Sequence, residues 1–236
     1  MRVLIFGAGG ILGHRVWLHA RDRFDAYAVL HSQLAAMPGG ELFDAARTFD
    51  HLDLTDDAAL DEAFRWAWPD VVVNAAGLVK QRPGSQDPLA AIALNDPLPH
   101  RLAARCQAAG ARLIQVSTDC VFPGQRGAYC EADVPDPPDV YGRSNLLGEV
   151  DCPGMPTLRA SIIGREQAGR QGLLDWFPSL GVDVGIDPVD GPAIDRTLDD
   201  ARLRQATAMP KPTWAAMLDA IAADAVPYDQ IRGEHR

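Results

Sequence analysis

The segment RVLIFGAGGILG, residues 2–13, carries a short, mostly apolar run straight into a glycine-rich turn. A run like RVLIF (2–6) suits a buried parallel strand, whose two faces are both covered. The turn that follows sets Gly7, Gly10 and Gly13 between that strand and the start of a helix. Glycine serves three purposes at such a place: a tight turn, close approach of the backbone to a pyrophosphate, and close packing of helix on strand. The amides of Ile11, Leu12 and Gly13 then open a helix, where free N–H groups and the positive end of the helix dipole favour phosphate. The turn is therefore a candidate dinucleotide site. Its plain alternative is a glycine turn that holds no ligand.

Outward from this segment the pattern alternates. Strands are expected at 27–31 (YAVLH), 49–53 (FDHLD), 70–74 (DVVVN), 111–118 (ARLIQVST) and 157–163 (TLRASII). Helices are expected at 11–22, with Leu12, Val16 and His19 on one face, and at 55–68 and 141–150. A long helix over 87–110 is expected to bend at Pro97 and Pro99. A loop with a short helix fills 34–48. Such alternation with short connections yields βαβ units and a parallel sheet. The expected fold is α/β: a Rossmann-like, doubly wound parallel sheet over residues 1–165, with a small, reduced C-terminal annex at 166–236. The annex pattern gives a strand at 182–186 and helices at 198–207 and 211–224. In the last of these, Trp214, Met217, Leu218 and Ile221 form an apolar stripe expected to pack on the main domain.

Composition narrows the function classes. The 236 residues are 47% hydrophobic, enough for a sizeable core, and their formal net charge is −10. That charge argues against nucleic acid or an anionic membrane as partner. No apolar run approaches the roughly 18 residues that span a bilayer. The N-terminal run is broken by glycines and is followed by the basic His14 and Arg15, so it does not read as a signal peptide. A cytoplasmic location is expected. Cys106, Cys120, Cys130 and Cys152 form no CxxC pair, so reduced thiols and no metal site are expected.

Cofactor choice is read at the end of the second strand. An acid there would accept hydrogen bonds from the ribose 2′-hydroxyl of NAD. Residues 30–33 are LHSQ instead, and His31 and Ser32 offer contacts to a 2′-phosphate. NADP(H) is the favoured cofactor and NAD(H) the second candidate.

The glycine turn, LDL (52–54), NAAG (74–77), STDCVF (117–122) and YGRSN (141–145) occur in the order of the extended short-chain dehydrogenase/reductase family. Within it the chain resembles sugar-nucleotide reductases of the dTDP-4-dehydrorhamnose reductase type. The resemblance runs through 1–178 and resumes at about 182–224. It implies that Asp53 and Leu54 lie beside the adenine and that Asn74, Ala75, Ala76 and Gly77 line the cofactor, as does Ser117. It implies that Thr118 binds the substrate oxygen, that Asp119 and Cys120 lie near the sugar, and that Tyr141 donates the proton in ketone reduction. Lys80 is a candidate substrate contact or stand-in cation. A nucleotide sugar is the implied substrate and a homo-oligomer the expected assembly.

Two departures qualify that reading. The family places a lysine one helical turn after the tyrosine, where it lowers the phenol pKa and holds the nicotinamide ribose. This chain has Asn145 there. Asparagine can hydrogen-bond a ribose hydroxyl but supplies no charge. The chain also passes from GLLDWFPS (172–179) almost directly to a segment resembling the family's later C-terminal part, so several tens of substrate-domain residues are missing. The expectation is a reductase with weakened catalysis. The alternatives are a silent dinucleotide-binding sensor or complex subunit, and a nucleotide-sugar epimerase or dehydratase.

Overall fold

The protein is represented by a computed structural model. Residues 1–78, 87–169, 172, 174–175, 191 and 193–233 are described. Six strands form one parallel sheet: β1 (Arg2–Phe6), β2 (Asp25–Val29), β3 (Thr48–Phe49), β4 (Val71–Asn74), β5 (Arg112–Thr118) and β6 (Thr157–Ala160). Their spatial order is β3-β2-β1-β4-β5-β6, with every neighbouring pair parallel. The chain winds outward to β3, then crosses back to lay β4 against the other side of β1. Strand order reverses between β1 and β4, and the crevice beyond their carboxyl ends is where such sheets bind ligands.

Side chains alternate along each strand and so build two cores. Leu4, Phe6, Val72 and Leu113 face α2 (Asp57–Ala67) and α4 (Pro97–Ala109), packing with Leu60, Phe64, Leu98 and Leu102. Val3, Ile5, Val71 and Val73 face the other way, toward α1 (Ile11–Ala20) and its Trp17, which stacks on Phe43 at 5.6 Å. Further helices among the described residues are α3 (Pro88–Asn95), α5 (Val140–Leu147), α6 (Ala201–Thr207), α7 (Trp214–Ala222) and α8 (Tyr228–Ile231).

Several boundaries differ from expectation, each for a local reason. Strand β2 begins two residues early, because the polar Asp25 pairs with Arg2. Strand β3 stops after two residues: Asp50 turns its carboxylate to the Leu34 amide at 2.6 Å, and His51 adopts a φ of +55°. The long helix is two helices. Pro97 lacks the N–H that would continue α3 and instead opens α4, with Asp96 (φ −101°, ψ −69°) at the joint. The buried face of α1 is Gly13, His14, Trp17 and Ala20, displaced by one position from the Leu12–Val16–His19 face. The expected strand at 182–186 lies outside the described residues. The stripe on α7 does not pack on the main domain: Trp214 is 68% and Leu218 54% exposed, and α7 buries no residue.

The C-terminal stretch is nevertheless tied to the sheet domain. Asp195 and Leu198 bridge to Gln125 and Tyr129. Tyr228, at the start of α8, is buried and hydrogen-bonds His14 at 2.9 Å and Asp224 at 3.0 Å, while Arg15 pairs with Asp224 at 2.8 Å. No helix among the described residues is long and apolar enough to cross a membrane.

Candidate active site

The glycine turn is built by contacts that leave no room for side chains at two of its three glycines. Gly7 has a φ of +73°, and a Cβ there would sit 2.5 Å from the Ala76 nitrogen. A Cβ on Gly13 would lie 2.0 Å from the Gly7 carbonyl oxygen, so α1 closes on the turn as far as a hydrogen allows. Gly10 differs. A Cβ there would touch only the Gly7 oxygen, at 3.3 Å, and faces open space in front of the α1 N-terminus. Gly10 caps α1 with no side-chain hydrogen bond. The first-turn amides, among them Ile11, Leu12 and Gly13, have no partner within the helix. An open cradle of donors is what a diphosphate needs, so the residues present fit a dinucleotide.

His31 and Ser32 are exposed just past the end of β2, where LHSQ places no acid. Asp53 stands near His31. Hydrogen bonds from the Thr55 hydroxyl and amide hold its carboxyl below the ordinary carboxylate range, with smaller pulls from His31 and Arg101. Leu54 packs at the edge of the core. At the end of β4, Asn74 is fully buried. Its amide donates to Gln115 at 2.8 Å, and its oxygen accepts from the Ala76 amide at 3.1 Å, which shapes the Ala75–Gly77 turn beside Gly7.

Strand β5 delivers Ser117 and Thr118 with opposite directions. The Ser117 hydroxyl donates to Glu149 at 2.8 Å, and Glu149 is held by a two-pronged pair with Arg159 at 2.7 and 2.8 Å. Thr118 points to the other side. Its hydroxyl donates to Asp119 at 3.2 Å, accepts from the Cys120 amide at 3.1 Å, and hydrogen-bonds Tyr141. Helix α5 can approach this closely because residue 142 is glycine: a Cβ there would lie 2.4 Å from the Cys120 carbonyl oxygen. Asp139 starts α5 by accepting from the Gly142 amide at 2.8 Å. Burial raises the Tyr141 phenol above its ordinary pKa. The Thr118 hydrogen bond opposes that rise, and Cys120, Asp119 and Asp139 add to it. Asn145 does not reach outward: its amide turns back to the Tyr141 carbonyl at 2.9 Å, one turn earlier on α5. Lys80 lies outside the described residues.

Two residues the motif reading passed over organise the site. Asn95, buried at the end of α3, donates to Ser144 on α5 at 3.1 Å and accepts from the Leu78 amide at 2.8 Å. It thereby fixes the loop after β4 against the tyrosine helix. Arg196 donates to the Phe122 carbonyl at 2.9 Å and lies 3.9 Å from the Cys120 sulfur. Neither carries a motif. The one available signal was Gly142, directly after the tyrosine.

A glycine turn on β1, a switch-point crevice and a threonine–tyrosine pair at its rim define a Rossmann-like domain of the short-chain dehydrogenase/reductase type. Residues 1–163 match the RmlD substrate binding domain family. The chain belongs to that family. It is 43% identical over 100 residues to the dTDP-4-dehydrorhamnose reductase of Streptomyces griseus, covering 42% of this chain and 33% of that one. It is 36% identical over 154 residues to the Mycobacterium tuberculosis dTDP-4-dehydrorhamnose reductase, covering 63% of this chain and 44% of that one. It is 34% identical over 149 residues to the rat (Rattus norvegicus) methionine adenosyltransferase 2 subunit beta, covering 63% and 41%. The chain thus spans less than half the length of these curated relatives. Among solved structures it resembles a Bacillus anthracis dTDP-4-dehydrorhamnose reductase in complex with NADP, at 27% identity and TM-score 0.50, covering 63% of this chain and 47% of that one. A hypothetical dTDP-4-dehydrorhamnose reductase from Sulfolobus tokodaii shares the fold at TM-score 0.64 and 20% identity, covering 89% and 96%.

Proposed function

We propose that this chain binds NADP(H) along the glycine turn and reduces a nucleotide-linked 4-ketosugar, at a rate limited by Asn145 standing in the position of the family's catalytic lysine. The observation that carries the reading is the Thr118–Tyr141 hydrogen bond at the mouth of the crevice, reached through Gly142. The cofactor, when bound, supplies hydride to the carbonyl carbon. Gly10 and the first-turn amides of α1 hold its diphosphate. His31 and Ser32 face its 2′-phosphate, and Asp53 with Leu54 borders its adenine. The turn Asn74–Gly77 and Ser117 help shape the remaining wall, Asp119 and Cys120 stand toward the sugar, and Lys80 is a candidate substrate contact.

Thr118 donates a hydrogen bond to the substrate oxygen as charge gathers on it, and Tyr141 transfers its phenolic proton there. The raised phenol pKa keeps that proton in place through the neutral range but makes the tyrosinate costly to form. In this reading Asn145 takes the position of the lysine that would lower that cost. The missing charge is worth a factor of about 10²–10⁴, the usual range of one acid–base contribution.

The test follows NADPH oxidation with a panel of nucleotide-linked 4-ketohexoses, beside Tyr141→Phe. Slow turnover with one sugar, abolished in the phenylalanine variant, is expected. Cofactor binding with no turnover on any sugar would sink the reductase reading. It would favour a silent dinucleotide-binding subunit, for which the similarity to methionine adenosyltransferase 2 subunit beta and the inward-turned Asn145 amide both speak.

A further inference from the structure

His14 lies one hydrogen bond beneath the glycine turn and is 1% exposed. Its Nδ1 is 2.8 Å from the Gly10 carbonyl oxygen, which also accepts the His14 amide at 3.1 Å. Its Nε2 is 2.9 Å from the Tyr228 phenol oxygen. The phenol donates to Asp224 at 3.0 Å, and Asp224 pairs with Arg15 at 2.8 Å. The Arg165 guanidinium, itself paired with Asp175 and Asp229, lies over the Tyr228 ring at 4.8 Å. A continuous row of contacts thus runs from Asp224 and α8 to Gly10, the glycine that faces the open cradle.

The row is one proton short. A carbonyl oxygen can only accept, so the Gly10 contact needs a proton on Nδ1. The phenol has one proton to give. With that proton on Asp224, the contact at Nε2 needs a second proton on the ring. With it on Nε2, the phenol oxygen faces the Asp224 carboxylate with no proton between them. Three contacts share two protons while the imidazole is neutral, and the imidazolium supplies the third. Burial, with Arg15 assisting, favours the neutral ring in the free protein, against the pull of the Gly10 carbonyl and Asp224. Negative charge arriving at the turn shifts that balance, because an opposite charge nearby favours the charged form of a histidine.

Resting on the reading of this turn as a dinucleotide site, we propose that His14 is its positioning residue and takes up a proton when the dinucleotide binds. The diphosphate brings the negative charge. The imidazolium then joins Gly10 to Tyr228 with a full set of hydrogen bonds, so the C-terminal segment from Asp224 to Tyr228 holds the cradle in its binding shape. By linkage, affinity rises as pH falls, by up to about tenfold per pH unit for one proton. The rise runs from the His14 pKa of the complex down to that of the free protein, which burial sets below 6.5.

Calorimetric titration of the full chain with NADPH and with NADH, in two buffers of different ionisation enthalpy, reads affinity and proton exchange together. NADH is included because the 2′-phosphate of NADPH titrates near pH 6 itself, as phosphate monoesters do. Net proton uptake with both nucleotides is expected at about pH 6. It should vanish in His14→Gln, which keeps a donor for the Gly10 carbonyl and still binds, so that NADH affinity becomes flat with pH. It should fall in Tyr228→Phe, which keeps the ring and removes the oxygen that accepts from Nε2. Binding without proton uptake overturns the proposal and leaves the cofactor reading standing. Uptake undiminished in His14→Gln overturns it too, since the proton then sits elsewhere. No binding of either nucleotide at millimolar concentration removes the cofactor reading and the proposal with it.

Discussion

Around Gly13 a single hydrogen is all the packing allows, whereas the nine residues of α7 bury none of their side chains. Both regions announced themselves by helical apolar spacing, and only one of them is packed. The difference lies in what each helix meets. Helix α1 lands between two strands that its own neighbours supply, and Trp17 finds Phe43 on the next connection. Helix α7 follows an exposed, proline-bearing stretch, residues 208–213, and meets no sheet. An amphipathic pattern records that a surface needs a partner and leaves open where the partner is.

The contrast breaks most easily at Gly13. Gly13→Ala should cost about 3 kcal/mol, the upper range for overpacking, because its methyl would enter the Gly7 carbonyl. An unchanged urea midpoint would contradict the closeness of α1 to the turn. Gly10→Ala should spare the midpoint and abolish the stabilisation that added NADPH gives, since its methyl points into the open cradle.

Next in size is Asn145→Lys, expected to speed ketone reduction by about 10²-fold. The sign of its pH effect follows from Tyr141. The neutral phenol is the donor and burial raises its pKa, so wild-type reduction should hold its rate past the ordinary tyrosine value of about 10. A lysine there favours tyrosinate and should bring the alkaline fall to lower pH. A pH–rate profile in which both proteins fall together would remove Asn145 from the argument.

A smaller effect belongs to His14. Burial lowers its pKa, with the Gly10 carbonyl and Asp224 opposing and Arg15 assisting. The unfolded chain therefore binds this proton more readily. The stability so gained is present above about pH 6.5 and is lost as pH falls through the folded value. The stability difference between wild type and His14→Gln should narrow by on the order of 1 kcal/mol from pH 7.5 to 5, read from paired urea titrations. A constant difference would mean that folding leaves the proton affinity of this histidine unchanged. Smallest of all, Trp214→Ser should move the midpoint by less than about 0.5 kcal/mol at dilutions where the chain is monomeric. A larger loss would show α7 packed after all.

The sheet was legible because its signals are local. Five apolar-biased residues ending at Gly7, the β-branched VVVN and the Thr–Asp start of α2 each specify structure within a turn or two. The face of α1 was misread for the opposite reason. His14 looks like a surface residue, and what buries it is Tyr228. Asn95 was invisible likewise, since its partners, Leu78 and Ser144, come from a loop and from another helix. Tyr141 stood out by motif, but the direction of the Asn145 amide did not: a side chain bonded to its own helix leaves no mark in spacing.

The hydrogen bond between His14 and Tyr228 spans 214 positions. Translated into time, that separation is a delay. At about 5–20 residues per second, synthesis leaves His14 without its ring partner for on the order of 10–40 s after it is made. The segments that build the glycine turn, out to Ala76, are made well before Tyr228, so the imidazole beneath the turn lacks its covering ring throughout that interval. A contact at the start of the chain thus waits for a residue near its end.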